Sequence, residues 1–290
     1  MQLAADLADV TLNYQPGWPE SLLGVSQLRL DDTRIDVWSP ESAIAEVSMK
    51  AASVGILIDK GAAWLALRSD VEGRPDQILR TLQALPALSV AEPVMSDLTL
   101  SGEGRANASL GLTFDLKDLR ETVDITVEAD LMEAAVRSAL LDLQAENVSG
   151  RLAYQTQRGF EASGLTATSF GRQLKVEMGP HLATSADTLL AAQLDFEVSV
   201  SDLLAWQPVG FALPAQGVTS AKVAVSVADT VTVEVESDLQ GIQIDLPMPW
   251  GKSVDSRAPL KVSWHDREWA GWEVFWFGRF SAIADVPEYG

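Results

Sequence analysis

Three acids near the C-terminus, Asp266, Glu268 and Glu273, stand among Trp264, Trp269, Trp272 and Trp276. Paired carboxylates beside indole faces are the equipment of glycoside hydrolysis, which needs two carboxyl groups roughly 5 to 9.5 Å apart and a stacking surface for the sugar. In an extended segment Asp266 and Glu268 share one face, roughly 7 Å apart. Two solvated acids on a turn have the same spacing. Forty-one acids in 290 residues supply further pairs by chance, Asp31 with Asp32 and Asp115 with Asp118 among them. The two histidines, His181 and His265, are too few for a multi-histidine metal site, and His265 reads as a turn residue. Zero cysteines exclude disulfides, thiolate metal centres and thiol nucleophiles. The chain contains no Gly-x-Ser-x-Gly elbow, no His-Glu-x-x-His helix and no glycine-rich phosphate loop ahead of a helix. Gly102-Glu103-Gly104 is a hairpin signal, and the Asn107 and Asn147 sequons matter only in a eukaryotic secretory pathway. The expectation is a protein that is not an enzyme and takes no metal or cofactor. The tryptophans leave three readings open: a terminal core, a sugar platform, or a surface that meets lipid.

Composition narrows the field further. Forty-one acids against 21 Lys and Arg leave a formal charge of −20, which repels nucleic acid. Forty-seven percent apolar residues argue for a folded chain with a sizeable core. No apolar run reaches the roughly 18 residues that a membrane helix needs. No basic, apolar leader follows Met1, and the first residues already read as strand, so the chain is expected to be an excised piece of something longer.

Period-two alternation dominates. Leu110, Leu112, Phe114 and Leu116 form one apolar set, Val123, Ile125, Val127 and Ala129 a second, and Leu190 through Val200 a third. Val223, Val225 and Val227 turn at Asp229-Thr230 into Val231, Val233 and Val235. Short polar turns such as Asp31-Asp32, Arg158-Gly159 and Gly171-Arg172 join neighbouring runs, the signature of antiparallel strands. Two stretches switch to helical spacing: Ile78, Leu79, Leu82 and Leu85 behind Pro75-Asp76, and Leu203, Leu204 and Trp206 behind Ser201-Asp202. Residues 131–143 carry helical spacing too, but their repeat partner at 7–20 contains Pro16 and Pro19, so strand pieces are expected there.

That repeat has a period near 124 residues. Ala5-Asp6-Leu7 recurs as Ala129-Asp130-Leu131, Val25-Ser26 as Val148-Ser149, and Ile78-Leu79 as Leu203-Leu204. The order strand, strand, turn, strand, helix, strand appears twice. It sets the expected divisions at 1–128, with a helix near 75–85, and 129–250, with a helix near 201–207. Residues 251–290 then open a further, Trp-rich unit.

Several blocks resemble the AsmA-like superfamily, and within it the YhdP branch of large bacterial envelope proteins. Leu12-x-Tyr14-x-Pro16-x-Trp18-Pro19 precedes Gly24-Val25 and Leu28-x-Leu30. Val148-Ser149-Gly150-x-Leu152-x-Tyr154 precedes Gly159 and Leu165-x-Ala167-x-x-Phe170-Gly171. The most specific block is Ser237-Asp238-Leu239-x-Gly241, running into Leu246-Pro247-x-Pro249-x-Gly251-Lys252 and Ala258-Pro259-Leu260. The resemblance implies a mostly β fold: an elongated, curved antiparallel sheet of tandem repeats that forms an apolar groove, with short packed helices. It implies a bridge-like lipid transporter that carries phospholipid between inner and outer membrane across the periplasm. The inner-membrane anchor would lie outside these residues, and the partners would be acyl chains and the two membranes, with no nucleic acid. On that reading Leu110, Leu112, Phe114, Val123, Ile125, Val127, Leu194, Phe196, Val198, Val223, Val225 and Val233 line the groove. A structural or adhesive envelope module with a closed core buries the same alternating face, and a carbohydrate-binding or hydrolytic β protein is the third reading.

Overall fold

The computed structural model describes residues 2–13, 19–59, 62–85, 88, 91–101, 105–115, 124–139, 142–183, 185, 187–206, 214–247, 251–265, 271–276 and 280–285; of residues 62, 114, 265, 271–276 and 280–285 it describes the backbone alone. The chain separates into two compact units, Met1–Glu161 and Ala162–Gly290. The expected repeat boundary, by comparison, lies at 128/129.

The first unit contains β1 (Leu3–Leu7), β2 (Val10–Leu12), β3 (Ser21–Leu23), β4 (Ser26–Leu30), β5 (Arg34–Ile44), β6 (Val47–Asp59) and β7 (Ala62–Gly73). A helical insert follows, α1 (Pro75–Gln83) and α2 (Glu92–Asp97), and then β8 (Leu98–Ser101), β9 (Arg105–Asp115), β10 (Asp124–Ser138) and β11 (Leu143–Gln155). β12 (Gly159–Ser169) begins here and ends in the second unit. Every pairing is antiparallel, in the lateral order β1–β4–β5–β6–β7–β9–β10–β11. The expected helix near 75–85 is α1, started by Pro75 and by Asp76 in its first turn.

In-register apolar rows build the core on one face. Leu28, Val37, Val54, Leu67, Leu112 and Ile125 face one another across six strands. Two strands carry a bulge that preserves this face. The pairing of β6 slips between Lys50 and Ser53, where Ala51 has φ +51°, and both Met49 and Ala52 are buried. In β10 it slips between Leu131 and Ala134, where Glu133 has φ +55°. An extra residue inverts the strand's parity, so the inward positions step by three instead of two. That step is the source of the helical spacing at 131–143, and the strand expectation there is correct: β10 extends to Ser138.

The second unit continues with β13 (Arg172–Met178), a 3-10 turn (Pro180–Leu182), β14 (Leu190–Ser199), α3 (Val200–Trp206), β15 (Ala215–Val227), β16 (Val231–Ser237), β17 (Ile242–Ile244), β18 (Leu260–His265), β19 (Gly271–Trp276) and β20 (Phe280–Asp285). Its lateral order is β12–β13–β14–β15–β16–β18–β19–β20, with β17 paired separately to the start of β15. The expected helix near 201–207 is α3.

At Gly217 and Gly241 the backbones of β15 and the 238–241 turn touch. A Cβ on Gly217 would lie 2.1 Å from the Gly241 carbonyl oxygen, and one on Gly241 would lie 2.1 Å from that of Val218. Both glycines have positive φ, +121° and +93°. Gly241→Ala therefore combines a backbone collision with a strained conformation and is expected to cost at least about 2 kcal/mol of stability. Urea denaturation followed by circular dichroism measures this; an unshifted midpoint would contradict the packing described.

Candidate functional site

The first unit fills its own apolar face. Ile125 is 1% exposed, and Leu110, Leu112 and Val127 are also buried, in one cluster with Val54, Leu65, Leu67 and Tyr154 from the sheet and Ile78, Leu85, Leu88 and Met95 from the helical insert. Leu110 faces Val127, and Leu112 faces Ile125, across the β9–β10 pair. Of the remaining expected groove residues on this stretch, Phe114 occupies a β9 position opposite Leu65, and Val123 lies outside the described residues.

The second unit presents a different surface. Val176, Leu194, Val223, Val235 and Val262 form one row across β13, β14, β15, β16 and β18. Met178, Ala192, Val225, Val233 and Trp264 form the next. At ~4.8 Å between strands each row runs about 19 Å. Leu174, Phe196 and Ala221 extend the floor along β13, β14 and β15. Leu174, Val176, Ala192, Ala221, Val233 and Val198 are buried, while Leu194, Phe196, Val223, Val225, Val235 and Trp264 are half-buried. All five groove candidates on β14 and β15 and the one on β16 are in this unit, and all but Val198 fall in these rows.

The reverse face is charged. Lys175, Asp195, Lys222, Glu236 and Lys261 follow one another in register with alternating sign. The Lys261 ammonium lies 3.1 Å from a Glu234 carboxylate oxygen and 3.3 Å from one of Glu236. Hydrogen bonds to Glu234 and then Glu236 hold its pKa above the ordinary lysine value. Cross-strand pairs of this kind keep that face wet and direct the apolar rows away from it.

One end of the apolar floor is closed by side chains that periodicity alone does not reveal. The ring of Trp206 on α3 meets the edge of Phe170 at the β12–β13 turn, with centroids 6.4 Å apart. Behind α3, Val200 and Leu204 pack on Leu239, Ile242, Ile244 and Ala258. The loop that carries these last residues is the Gly241…Gly251-Lys252 block. Ile244 and Lys252 exchange backbone hydrogen bonds of 2.9 and 3.0 Å, and the Ala258 N–H donates to the Asp238 carbonyl at 2.7 Å. Lys252, only 6% exposed, donates through Nζ to the carbonyls of Ile242 at 2.8 Å and Ser253 at 3.0 Å. Burial pushes its pKa down, and the charges of Asp238 and Asp255 oppose that shift. The loop glycines and prolines were visible in the sequence; the buried cation between them was not, because nothing local distinguishes it from a solvated lysine.

The catalytic alternatives find little here. Asp266, Glu268 and Trp269 lie outside the described residues, while Glu273, Trp272 and Trp276 are positions on β19 and His265 one on β18. His181 is exposed in the 3-10 turn. Among the described residues no group of three or more His, Asp or Glu is placed to hold a metal ion. No described helix is long and apolar enough to cross a membrane.

The family model of the YhdP protein matches residues 1–268. The chain belongs to the YhdP family. The family is one of bridge-like lipid transport, associated with the bacterial envelope and not enzymatic. No curated protein and no solved structure matches the chain. The matched stretch includes the loop around Lys252, which backs the helix at the end of the apolar floor.

Removing the Lys252 ammonium strands two carbonyls, so Lys252→Ala is expected to lower stability by about 1–3 kcal/mol. The folded-state pKa lies below the ordinary value of 10.5, so protonation opposes folding. That penalty is complete below the folded pKa and disappears as pH rises through the unfolded one. The stability of the wild type relative to Lys252→Met should therefore increase between pH 7 and about pH 10.5. Parallel urea titrations at stepped pH check the sign; wild-type stability that falls relative to Lys252→Met as pH rises would contradict it.

Proposed function

We propose that this chain is a periplasmic segment of a phospholipid transporter in which the second unit's apolar floor solvates acyl chains on their way between the inner and outer membranes. The observation that carries the reading is the half-buried floor of Leu194, Phe196, Val223, Val225 and Val235, in unbroken register and backed by a charged face, in a member of a lipid-transport family. Apolar side chains left partly open to water across successive strands are costly unless something covers them. An acyl chain covers it at a gain of roughly 0.8 kcal/mol per buried methylene, with no polar contact needed. Valine rows make an even surface: no directional bond holds the chain at one position, so it is free to slide. The headgroup stays in water beyond the floor, and in the full-length protein an inner-membrane anchor tethers the bridge.

Leu194 and Phe196 tolerate an experiment because they are only half-buried. Phe196→Glu and Leu194→Glu should each keep the strand signal in circular dichroism. Native mass spectrometry of the purified wild type should find bound lipid, and both variants should lose most of it. Folded variants with undiminished lipid would remove the floor from the transport path.

A further inference from the structure

Each unit replaces one tight turn between neighbouring antiparallel strands with helix: α1 and α2 lie between β7 and β9, and α3 lies between β14 and β15. The outcomes differ. In the second unit α3 packs on the Lys252 loop through Val200 and Leu204, and the floor beside it stays only half-buried. In the first unit the insert turns onto the sheet face itself. Ile78 is buried beside Gly73 and Val47; Leu85, Leu88 and Met95 join the cluster that contains Leu110, Leu112, Ile125 and Val127.

We propose that the α1–α2 insert is a plug occupying, on the first unit's apolar face, the place that an acyl chain takes on the second unit's floor. This rests on the lipid-transport reading and adds to it a site that is closed at rest. The insert seats on the sheet through saturated side chains, with Leu79 and Leu82 packed against the cluster. An acyl chain offers the same kind of contact, so exchanging one for the other sacrifices few directional bonds at the seat. The polar ties that hold the insert lie at its ends. Asp97 closes α2 by accepting from the Ser138 hydroxyl at 2.6 Å and the Ala139 N–H at 3.1 Å, beside the end of β10. Among the described residues the body of the insert is tied more lightly. Arg80 pairs with Glu46 of the β5–β6 turn at 3.2 Å, both exposed, and the Gln83 amide donates to the Met95 carbonyl at 2.9 Å within the insert itself. An exposed ion pair such as Arg80–Glu46 contributes little. Helices of nine and six residues hold no structure alone, so the insert is ordered by the face it covers. On its outer side Arg80 is exposed and pairs at 3.2 Å with the largely covered carboxylate of Asp76 one turn before it.

The test uses the photo-crosslinking residue p-benzoylphenylalanine at Leu131, half-buried against the plugged cluster, or at Phe196 on the second unit, with radiolabelled diacyl phosphatidylcholine in mixed micelles. Because the chain lacks cysteine, Glu46→Cys with Arg80→Cys and a short bis-maleimide locks the insert in place. Leu82→Ala with Arg80→Ala loosens it while leaving the buried Ile78 and Leu85. The Phe196 probe should label in every background. The Leu131 probe should stay near background in the intact and locked proteins and rise several-fold in the loosened one. Strong labelling at Leu131 in the locked protein overturns the plug, as does a dark Leu131 in a loosened protein whose strands remain intact. If the loosened variant does not fold, Leu82→Ala alone makes the same comparison. No labelling at Phe196 in any background would instead sink the lipid-transport reading itself.

Discussion

Everything in each unit depends on keeping its apolar side chains on one face of its strands over many successive pairings. Side chains alternate strictly along a strand, so a slip of one residue moves a whole strand's apolar set into water. The bulges at Ala51 and Glu133 each insert such a slip, and in both strands the residues after the bulge change parity to match. In the second unit the pairing of β12 with β13 slips between Ala162 and Leu165, with Gly164 at φ +71°, and both flanking residues remain buried. Three strands thus bend without surrendering the face. The reverse faces reinforce the choice: Asp130 with Arg151 at 2.9 Å, and Lys50 with Glu72, pair across strands of the first unit as Lys261 does with Glu234 in the second.

The same alternating design yields two surfaces of different character. In the first unit a helical insert lies on the face and the apolar rows become a core. In the second the helix is drawn away by the Lys252 loop and the rows remain half-open. What separates a core from a floor here is where the helix between two strands finds its packing partner, not the composition of the strands. Ile78 and Leu85 find the sheet, whereas Val200 and Leu204 find Leu239, Ile242 and Ile244. The close approach of Gly217 and Gly241 is what lets that loop fold tightly enough to offer a second core.

Much of this was legible in the residues. The alternation at 110–116, 123–129 and 223–235 announces antiparallel strands, and proline followed by an acid announces α1. The blocks that resemble the YhdP family point to the family that the match over residues 1–268 shows. Residues 131–143 were ambiguous for a physical reason: a bulge makes inward positions three apart, which is also a helical interval. Open and filled faces were not separable, because Leu112 and Val223 sit in identical alternating patterns and only tertiary contact distinguishes them. Lys252 was invisible for the same reason. Its burial is produced by the loop folding back on Ile242 and Ile244, and a lysine in a Gly- and Pro-rich loop is by default solvated.

The central claim is that the second unit's valine-rich floor is a surface for acyl chains. Methyl-resolved NMR of the protein with a phospholipid carrying a nitroxide on its acyl chain tests it most directly. The account predicts selective broadening of the Leu194, Val223, Val225 and Val235 methyls, with Leu112, Ile125 and Val127 left sharp. Broadening that is absent from the floor, or equal on both sets, would contradict it.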